Sequence, residues 1–322
     1  MKKLIASITV ICVIAFGLDR LLSHVMWQVN QRSHDIWSYK IKYLYNDADQ
    51  DVILFGTSRC NNHYVSSIIA DSLGLSVYNG GISSSHNIFA HYIALNILLQ
   101  HHTPKVVCLE LSADDFQKEA DAFSSTNIFA PYINKSPEID SVFRVAGTYW
   151  PFMISHLYRF NNKACENLAG LVLNWEKDDA SGYQPIQRPA VFPDCLEKEA
   201  KAEIIDSQKI DFLQRFITQC QRRGIRLVFM VSPKYTKVAP GYYDALKSVA
   251  ESRGVPFLDY HSAGLFLSKP QLFHDSSHLW DEGARAYSLL FASDLKSLNL
   301  RYNHQSRPTQ DQSLSASQSQ PM

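Results

Sequence analysis

Three side chains in this sequence have the types and surroundings of a hydroxyl nucleophile with its base. Ser58 stands in "GTSR", directly after the apolar run 52–55, and Asp275 and His278 stand three residues apart in "DSSH". A serine hydroxyl is a weak nucleophile at neutral pH, so it needs a base within reach and a group that orients that base. Residues at i and i+3 in a tight turn can face the same way, which would let Asp275 hold the His278 imidazole in one tautomer. The residue types therefore predict nucleophilic chemistry at Ser58, if the fold brings the two segments together.

A nucleophile that attacks an acyl group also needs hydrogen-bond donors for the charge that develops on the carbonyl oxygen. The backbone N–H of Ser58 is one candidate. The backbone N–H of Gly81, in "NGG", is a second, because glycine allows the backbone to approach a ligand closely. For a third donor, a side chain, the spacing indicates the segment "SADDF".

Two neighbouring features have open roles. Arg59 follows the serine directly and either binds an anion of the substrate or fixes its own loop. The two histidines of "HDSSH" could suggest a metal, but no third ligand has matching spacing, and no cysteine pair has zinc-ligand spacing. We therefore expect neither a metal nor a cofactor.

The elements that must position these residues alternate between strand and helix. Short apolar runs bounded by glycine or polar residues predict buried strands, and apolar residues at helical spacing predict helices. The predicted strands are 52–55, 76–79, 105–111, 225–233 and 255–260. The predicted helices are 66–75, 86–102, about 203–223, 242–254 and 281–298. This alternation predicts an α/β fold, a three-layer α/β/α sandwich with a central parallel sheet, in which ligands bind at the carboxyl ends of the strands.

Composition divides the rest of the chain. Residues 24–50 are interpreted as a stalk or lead-in helix, and 51–300 as the main domain. Within that domain, 113–200 lacks the strand–helix rhythm and is rich in aromatic residues and proline, which predicts a long, partly helical insertion. The tail 301–322 is rich in Gln and Ser, a composition typical of disorder.

The first residues predict export. Lys2 and Lys3 precede an uncharged run of fifteen residues, 4–18, so that 1–23 is interpreted as a signal anchor or a signal peptide. The "AFG" at 15–17 could serve as a cleavage site. Either interpretation places the body outside the cytoplasm, anchored in the inner membrane or secreted to the periplasm. The alternative is a buried first helix of a cytosolic domain.

The charge balance excludes one class of partner. Lys plus Arg equals Asp plus Glu, at 31 each, so no net positive charge predicts nucleic-acid binding. If the compartment is oxidising, Cys165 and Cys195 could pair. The oligomeric state is left open by the sequence.

The three short motifs together resemble the SGNH (GDSL-type) hydrolase superfamily. "GTSR" follows the first strand, "NGG" the second, and "DSSH" precedes the last helix, and the resemblance covers 51–116 and 225–296. More narrowly, the motifs are similar to those of membrane-anchored bacterial envelope esterases and O-acyltransferases. The resemblance implies a flavodoxin-like α/β/α fold and serine-dependent chemistry on an acylated small molecule or an envelope glycan, without a cofactor.

The resemblance also assigns roles to residues. It implies Ser58 as the nucleophile, His278 as the base, Asp275 as its orienting group, and the N–H groups of Ser58 and Gly81 as oxyanion donors. The family's third block usually supplies an asparagine amide, whereas the matching position here is Asp114. An ionised aspartate cannot donate a hydrogen bond, so Asp114 is a doubtful donor, and Asn79 is the substitute that the sequence offers.

Two other functions remain open at this point. One is a non-catalytic relative that binds a glycan or a partner protein, which the aspartate at the expected asparagine position favours. The other is a flavodoxin-like phosphate or nucleotide binder that uses the "GTSRCNN" loop, which would leave Asp275 and His278 without a role. Hydrolysis and acyl transfer use the same residues, so the sequence does not separate them.

Overall fold

The computed structural model describes residues 1–35, 38–161, 163–173, 180–187, 196–198 (backbone only) and 205–298. Within these ranges the chain forms seven β-strands and eleven α-helices. The strands are β1 (Val52–Phe55), β2 (Val77–Asn79), β3 (Val106–Glu110), β4 (Leu196–Lys198), β5 (Arg226–Val231), β6 (Thr236–Val238) and β7 (Phe257–Asp259). The helices are α1 (Lys2–Arg32), α2 (Tyr39–Asn46), α3 (Ser58–His63), α4 (Ser66–Leu73), α5 (Asn87–Leu98), α6 (Pro137–Val145), α7 (Tyr149–Ile154), α8 (Ala164–Ala169), α9 (Ser207–Arg222), α10 (Asp244–Ser252) and α11 (Asp281–Ser297).

Five of the strands form one parallel sheet in the order β2-β1-β3-β5-β7. In this order β1 lies inside the sheet. The strand that follows it, β2, is added on one side, and the later strands are added on the other, as in flavodoxin-like folds. The predicted parallel α/β fold is therefore confirmed. The short parallel pair of β4 and β6 was not predicted, because runs of three residues carry no clear periodicity.

The strands are apolar on both faces because both faces of the sheet are covered. Along β1, Val52 and Leu54 belong to one hydrophobic cluster, whereas Ile53 and Phe55 belong to the other. Successive side chains of a strand point to opposite faces, so one strand contributes to two cores. This explains why the strands appear in the sequence as unbroken apolar runs.

Helices form the two outer layers. Apolar residues of α2, α5, α9 and α10 pack into the cluster that contains Ile53, and those of α3, α4 and α11 pack into the cluster that contains Leu54. The helix α9 begins at a capped turn, in which the Asp206 side chain accepts a hydrogen bond from the Gln208 backbone N–H at 2.9 Å. The three layers of the predicted sandwich are thus present.

The predicted insertion, 113–200, is mostly helical between 114 and 169, contains the strand β4 near its end, and shares the core of the main domain. It contains α6, α7, α8 and three 3₁₀ helices. The 3₁₀ helices are Asp114–Phe116, Ser124–Tyr132 and Leu157–Phe160. Phe129 and Phe143 are fully buried in the same cluster as Phe89 of α5, so the insertion extends one wall of the domain. Cys195 and the predicted tail 301–322 lie outside the described residues, so the pairing of Cys165 and the disorder of the tail stay predictions.

The helix α1 is continuous across the predicted boundary between residues 23 and 24. Its residues 1–18 are exposed, and its contacts with the insertion begin at Asp19. Of the helices in the described part of the chain, α1 alone is long and apolar enough to cross a membrane. The charges of Asp19 and Arg20, which follow the uncharged run, are satisfied by contacts that do not end the helix.

Candidate active site

Ser58 is the first residue of α3 and follows β1 after a two-residue turn. The turn needs a glycine at position 56, because a Cβ there would lie 2.6 Å from the Cys60 Cβ and 2.9 Å from the Glu110 Cβ. At a helix start the first backbone N–H groups have no carbonyl one turn back to bond. The local sequence therefore presents both the hydroxyl and the N–H of Ser58 at the carboxyl edge of the sheet.

The segment 273–279 forms a closed loop that fixes the second half of the site. Phe273 and Leu279 form an antiparallel bridge across its base. Inside the loop, one carboxylate oxygen of Asp275 accepts hydrogen bonds from the backbone N–H groups of Ser277 and His278, both at 2.7 Å. Aspartate commonly makes such local bonds in tight turns. They hold the carboxylate in one position before any interaction with the imidazole is considered.

The two segments meet at the rim of the sheet, although they are 220 residues apart. The Ser58 Oγ lies 2.8 Å from the His278 Nε2. The His278 Nδ1 lies 2.8 Å from the Asp275 Oδ2 and 2.9 Å from its Oδ1. The His278 side chain is 24% exposed and that of Asp275 is 42% exposed. The structure thus brings together the three residues that the sequence singled out, in a position that solvent reaches.

The electrostatics of the pair suit a histidine base. Burial acts to raise the pKa of Asp275, but the hydrogen bond and charge of His278 and the backbone N–H groups of Ser277 and His278 outweigh it, so the pKa is lowered. The carboxylate is therefore ionised at neutral pH and accepts the Nδ1–H of the imidazole. This leaves Nε2 as the acceptor for the Ser58 hydroxyl proton.

The second predicted oxyanion donor, Gly81, is engaged within the protein. Its N–H donates to the Asn79 Oδ1 at 3.0 Å. The glycine is needed for close packing, since a Cβ there would lie 2.5 Å from the Asn61 nitrogen and 2.8 Å from the Cys60 Cβ. In this structure Gly81 holds its loop against α3, and Ser58 N–H is the backbone donor that remains at the nucleophile.

Asn79, the predicted substitute for an oxyanion donor, is engaged inside the fold. Its side-chain amide donates to the carbonyl oxygens of Cys60 at 2.7 Å and Tyr64 at 2.9 Å. Both amide hydrogens are thus used, and the residue is fully buried. Asn79 ties the end of β2 to the middle of α3 and to the residue that follows this helix.

Asp114 does not supply a donor either. Its Oδ1 accepts a hydrogen bond from the Tyr242 hydroxyl, and its Oδ2 lies 3.5 Å from the Lys234 Nζ. Both contacts use the carboxylate as an acceptor, as its chemistry requires. The expectation that this position helps to bind an oxyanion is therefore not supported by its contacts.

Lys234 is a rim residue that the sequence reasoning missed. Its ammonium group donates to the Ser112 Oγ at 3.4 Å, and the next residue, Tyr235, donates its N–H to the Ser276 carbonyl of the histidine loop at 2.9 Å. Burial, together with the nearby charge of Arg59, lowers the pKa of Lys234 to about 8. The only sequence signal was its place just after the fourth predicted strand.

A chain of buried polar groups runs beneath the exposed site. Arg59 Nε lies 2.9 Å from the Glu110 Oε1. The same oxygen accepts a hydrogen bond from the Ser232 hydroxyl at 2.7 Å. The Ser232 Oγ in turn lies 2.9 Å from the His63 Nδ1, and the His63 Nε2 accepts the Leu279 backbone N–H at 2.9 Å. This buried polar chain links Arg59, which follows Ser58, to Leu279, which follows His278.

The tautomer of His63 follows from its partners. A backbone N–H can only donate, so Nε2 is unprotonated and Nδ1 carries the hydrogen that Ser232 accepts. Burial, together with the charges of His278, Arg59 and Lys234, lowers the pKa of His63 well below its ordinary value. His63 is thus a neutral structural group.

Arg59 belongs to the buried polar chain. This position bears on its two predicted roles. Its side chain is buried, pairs with Glu110, and donates to the Leu111 carbonyl at 3.4 Å. The structure favours the anchoring of its own loop over the binding of a substrate anion. The pairing could not be derived from the sequence, because Glu110 ends a different strand.

A buried lysine from the lead-in segment also supports the site. The Lys40 Nζ donates to Asn61 Oδ1 at 2.5 Å and to the carbonyl oxygens of Asn79 at 3.0 Å, Gly81 at 2.9 Å and Gly182 at 2.5 Å. These acceptors come from α3, from the end of β2 and its loop, and from the returning end of the insertion. One cation therefore joins the lead-in segment, the nucleophile helix and the insertion.

No metal centre was found in the part of the chain that the structure describes: it contains no group of three or more His, Cys, Asp or Glu side chains placed to hold an ion.

No protein-family model matches this chain, and no curated protein matches it in sequence. Among solved structures, the chain is similar to an acetyl xylan esterase, AlAXEase, with 12% sequence identity and a TM-score of 0.36, over 77% of this chain and 98% of that one. It is also similar to a candidate acylhydrolase from Bacteroides fragilis, with 10% identity and a TM-score of 0.38, over 82% of this chain and 97% of that one.

Proposed function

We propose that this protein is a serine-dependent ester hydrolase or O-acyltransferase of the SGNH type. The observation that carries the proposal is the contact chain from the Ser58 Oγ to the His278 Nε2 and from the His278 Nδ1 to Asp275. Each distance lies in the range at which a nucleophile, a base and an orienting group work together. The site is also partly exposed, so that a substrate can reach it.

The reaction would run in two steps. The Ser58 Oγ attacks the carbonyl carbon of an ester, its proton passes to the His278 Nε2, and Asp275 stabilises the imidazolium that forms. The Ser58 N–H bonds the oxyanion, an interaction of the kind that contributes about 3 kcal/mol to lowering the barrier. The tetrahedral intermediate then expels the alcohol, which takes the proton from Nε2, and leaves an acyl group on Ser58.

The second step decides between the two named activities. Water activated by His278 would release a free acid, whereas a sugar hydroxyl activated by the same group would accept the acyl chain. The apolar helix α1 and its basic start support a membrane-anchored position outside the cytoplasm. In that position acylated envelope glycans are the substrate class within reach, and the acetyl or other acyl group would come from such an ester.

One observation favours a second candidate, a non-catalytic protein that binds a glycan or a partner. The amide of Asn79 is fully used inside the fold, and Asp114 contributes only acceptors. The oxyanion would then be bound by the Ser58 N–H, without a hydrogen bond from the side chain of Asn79 or Asp114. A weak or absent turnover with an intact Ser58 site would support this candidate.

The test uses the full-length chain purified in detergent micelles. A fluorophosphonate probe should label the wild-type protein, and turnover of p-nitrophenyl acetate should be measurable. Both should be lost in Ser58→Ala, and His278→Ala should lose turnover. The matched control is Ser252→Ala, an exposed serine on α10, which should behave as wild type. Equal labelling and turnover in all four proteins would reject the proposed site.

A further inference from the structure

The helix α1 has a free segment that is shorter than a bilayer. Its apolar part begins at Leu4, and its contacts with the folded body begin at Asp19. Fifteen residues of α-helix span about 22 Å, whereas the hydrocarbon core of a bilayer is about 30 Å thick. If α1 spans the core, part of the helix beyond Asp19, where the folded body begins to contact it, must also lie in the membrane.

The exposed face of α1 has the composition that this requires. Beyond Asp19, the exposed residues Leu21, Leu22 and Val25 continue the apolar surface. The free segment is about 8 Å shorter than the core, and these three residues supply apolar surface over that distance, so the body meets α1 where the hydrocarbon gives way to the head groups. One face of α1 is thus suited to lipid over the same stretch in which the opposite face contacts protein.

The contacts of α1 fix which part of the body lies at this level. The Asp19 carboxylate accepts hydrogen bonds from the backbone N–H groups of His156 at 2.9 Å and Leu157 at 3.2 Å. The Arg20 guanidinium donates to the Ile154 carbonyl at 3.4 Å. The end of α7 and the start of the following 3₁₀ helix are therefore held beside the membrane-entry point of α1.

This part of the insertion exposes large apolar side chains, and we call it the insertion tip: Trp150, Pro151, Ile154 and Tyr158. Trp150 is 66% exposed and Ile154 is 73% exposed. They lie four residues apart on α7 and therefore on the same face of that helix. Exposed side chains of this size mark interaction surfaces, and Trp and Tyr are the residues enriched at the membrane–water interface.

Basic side chains surround the same level. A cleft of about 400 Å³ lies between α1 and the insertion. The residues with basic side chains that line it are Arg20, His24, Lys135, His156 and Arg159. Arg144 stacks on the Tyr149 ring at 3.6 Å, next to Trp150. Cationic side chains near an apolar surface are attracted by the phosphates of lipid head groups.

We propose that the insertion tip lies at the boundary between the hydrocarbon and the head groups of the bilayer that α1 enters, so that the protein contacts the membrane at two places. The proposal rests on the membrane anchor of the proposed function and goes beyond it, because a single helix would leave the body free to tilt. The second contact fixes the orientation of the sheet relative to the membrane.

The test measures the depth of a fluorophore in nanodiscs of phosphatidylcholine and phosphatidylglycerol at 3:1. The full-length chain carries one reactive cysteine at a time, in a background with serine at the other positions among Cys12, Cys165 and Cys195. An NBD label is placed at Ile154→Cys in the tip, at the native Cys12 in α1, and at Leu289→Cys on α11, an exposed residue across the sheet. Lipids with a nitroxide at the head group or in mid-chain then quench each label.

The expected pattern is distinct for each site. The label at Cys12 loses most of its emission to the mid-chain nitroxide, the label at Ile154→Cys loses most of its emission to the head-group nitroxide, and the label at Leu289→Cys loses little to either. If Cys12 is quenched and Ile154→Cys behaves like Leu289→Cys, the anchor stands and the second contact is overturned. If the label at Cys12 is not quenched, the anchor itself is wrong and the inference fails with it.

Discussion

The rim of the sheet carries two sets of serine, histidine and carboxylate that differ in their connections. In the exposed set, His278 contacts both Ser58 and Asp275. In the buried set, Ser232 lies between the other two groups, because it contacts both His63 and Glu110. The two imidazole rings are 6.1 Å apart, nearly perpendicular to each other.

The difference teaches that residue types alone do not define a nucleophile. In the exposed set the carboxylate orients the base, and the base faces a hydroxyl that solvent reaches. In the buried set the hydroxyl proton is already directed to Glu110, and the imidazole accepts a backbone N–H, so neither group is available to a substrate. The buried set is suited to joining α3 to the histidine loop.

The largest expected effect separates the two histidines by activity. His278→Gln should lower turnover of an ester substrate by about 10³-fold or more, because the base is lost. Its free energy of unfolding should change by less than about 1 kcal/mol, since the side chain is partly exposed. Steady-state kinetics and urea denaturation measure the two quantities. His102→Gln is the control, and a loss of less than tenfold in His278→Gln would contradict the assigned role.

The next effect is on stability and concerns Glu110, the carboxylate of the buried set. Glu110→Gln removes one partner of a buried ion pair and leaves the Arg59 charge uncompensated, so it should lower the free energy of unfolding by about 3 kcal/mol. The matched control is Lys105→Ala, which breaks the exposed pair with Asp51 and should cost less than about 1 kcal/mol. Similar small changes in both variants would show that the buried pair is not needed for the fold.

A pH titration should detect the buried histidine. Because the pKa of His63 is lowered in the folded protein, the unfolded chain binds its proton first as the pH falls below about 6.5. Stability is therefore full above that value and decreases below it, by about 1.4 kcal/mol per pH unit for this group. Burial lowers the pKa of His91 to about 3 and of His261 to about 4, and these two groups add loss of the same sign.

Denaturant titrations of the wild type and of His63→Gln, at several pH values between about 5 and 8, measure this dependence. In the variant, the slope of the free energy of unfolding against pH should be smaller by about 1.4 kcal/mol per pH unit, the contribution of one proton. Ser252→Ala, a change outside both sets that removes no titratable group, should keep the wild-type slope. An unchanged slope in His63→Gln would mean that the pKa of His63 is not lowered in the fold.

The smallest expected effect compares the two serines. Ser232→Ala removes the link between His63 and Glu110 and should lower the free energy of unfolding by about 1 kcal/mol, with turnover within about tenfold of wild type. Ser58→Ala should reverse this pattern, with turnover lost and stability nearly unchanged. Thermal unfolding and ester turnover of both variants measure the comparison. A loss of turnover in Ser232→Ala equal to that in Ser58→Ala would remove the distinction between the sets.

The exposed set could be predicted from the sequence for two physical reasons. Ser58 follows an apolar strand and a glycine, which is a pattern that local geometry determines. Asp275 and His278 are only three residues apart, so their contact needs no knowledge of the fold. The parallel sheet that brings them to one rim followed from the strand–helix alternation.

The buried set could not be predicted, because each of its members comes from a different element. Arg59 and Glu110 meet only because β1 and β3 are neighbours, and the sequence does not give the order of the strands. The contacts of Asn79 were not foreseen for a related reason, since the sequence cannot show that its amide bonds the carbonyl groups of Cys60 and Tyr64.

The contacts of Lys40 with four oxygen atoms have a consequence for how the molecule is assembled. Lys40 is synthesised early, but Gly182, the last of these four acceptors, follows 142 positions later. The nucleophile helix and its neighbouring loop therefore cannot reach their final arrangement on the ribosome until the insertion has emerged. A truncated form that begins after α2 would lack the ammonium group that gathers these oxygens, and would keep the serine while losing the support around it.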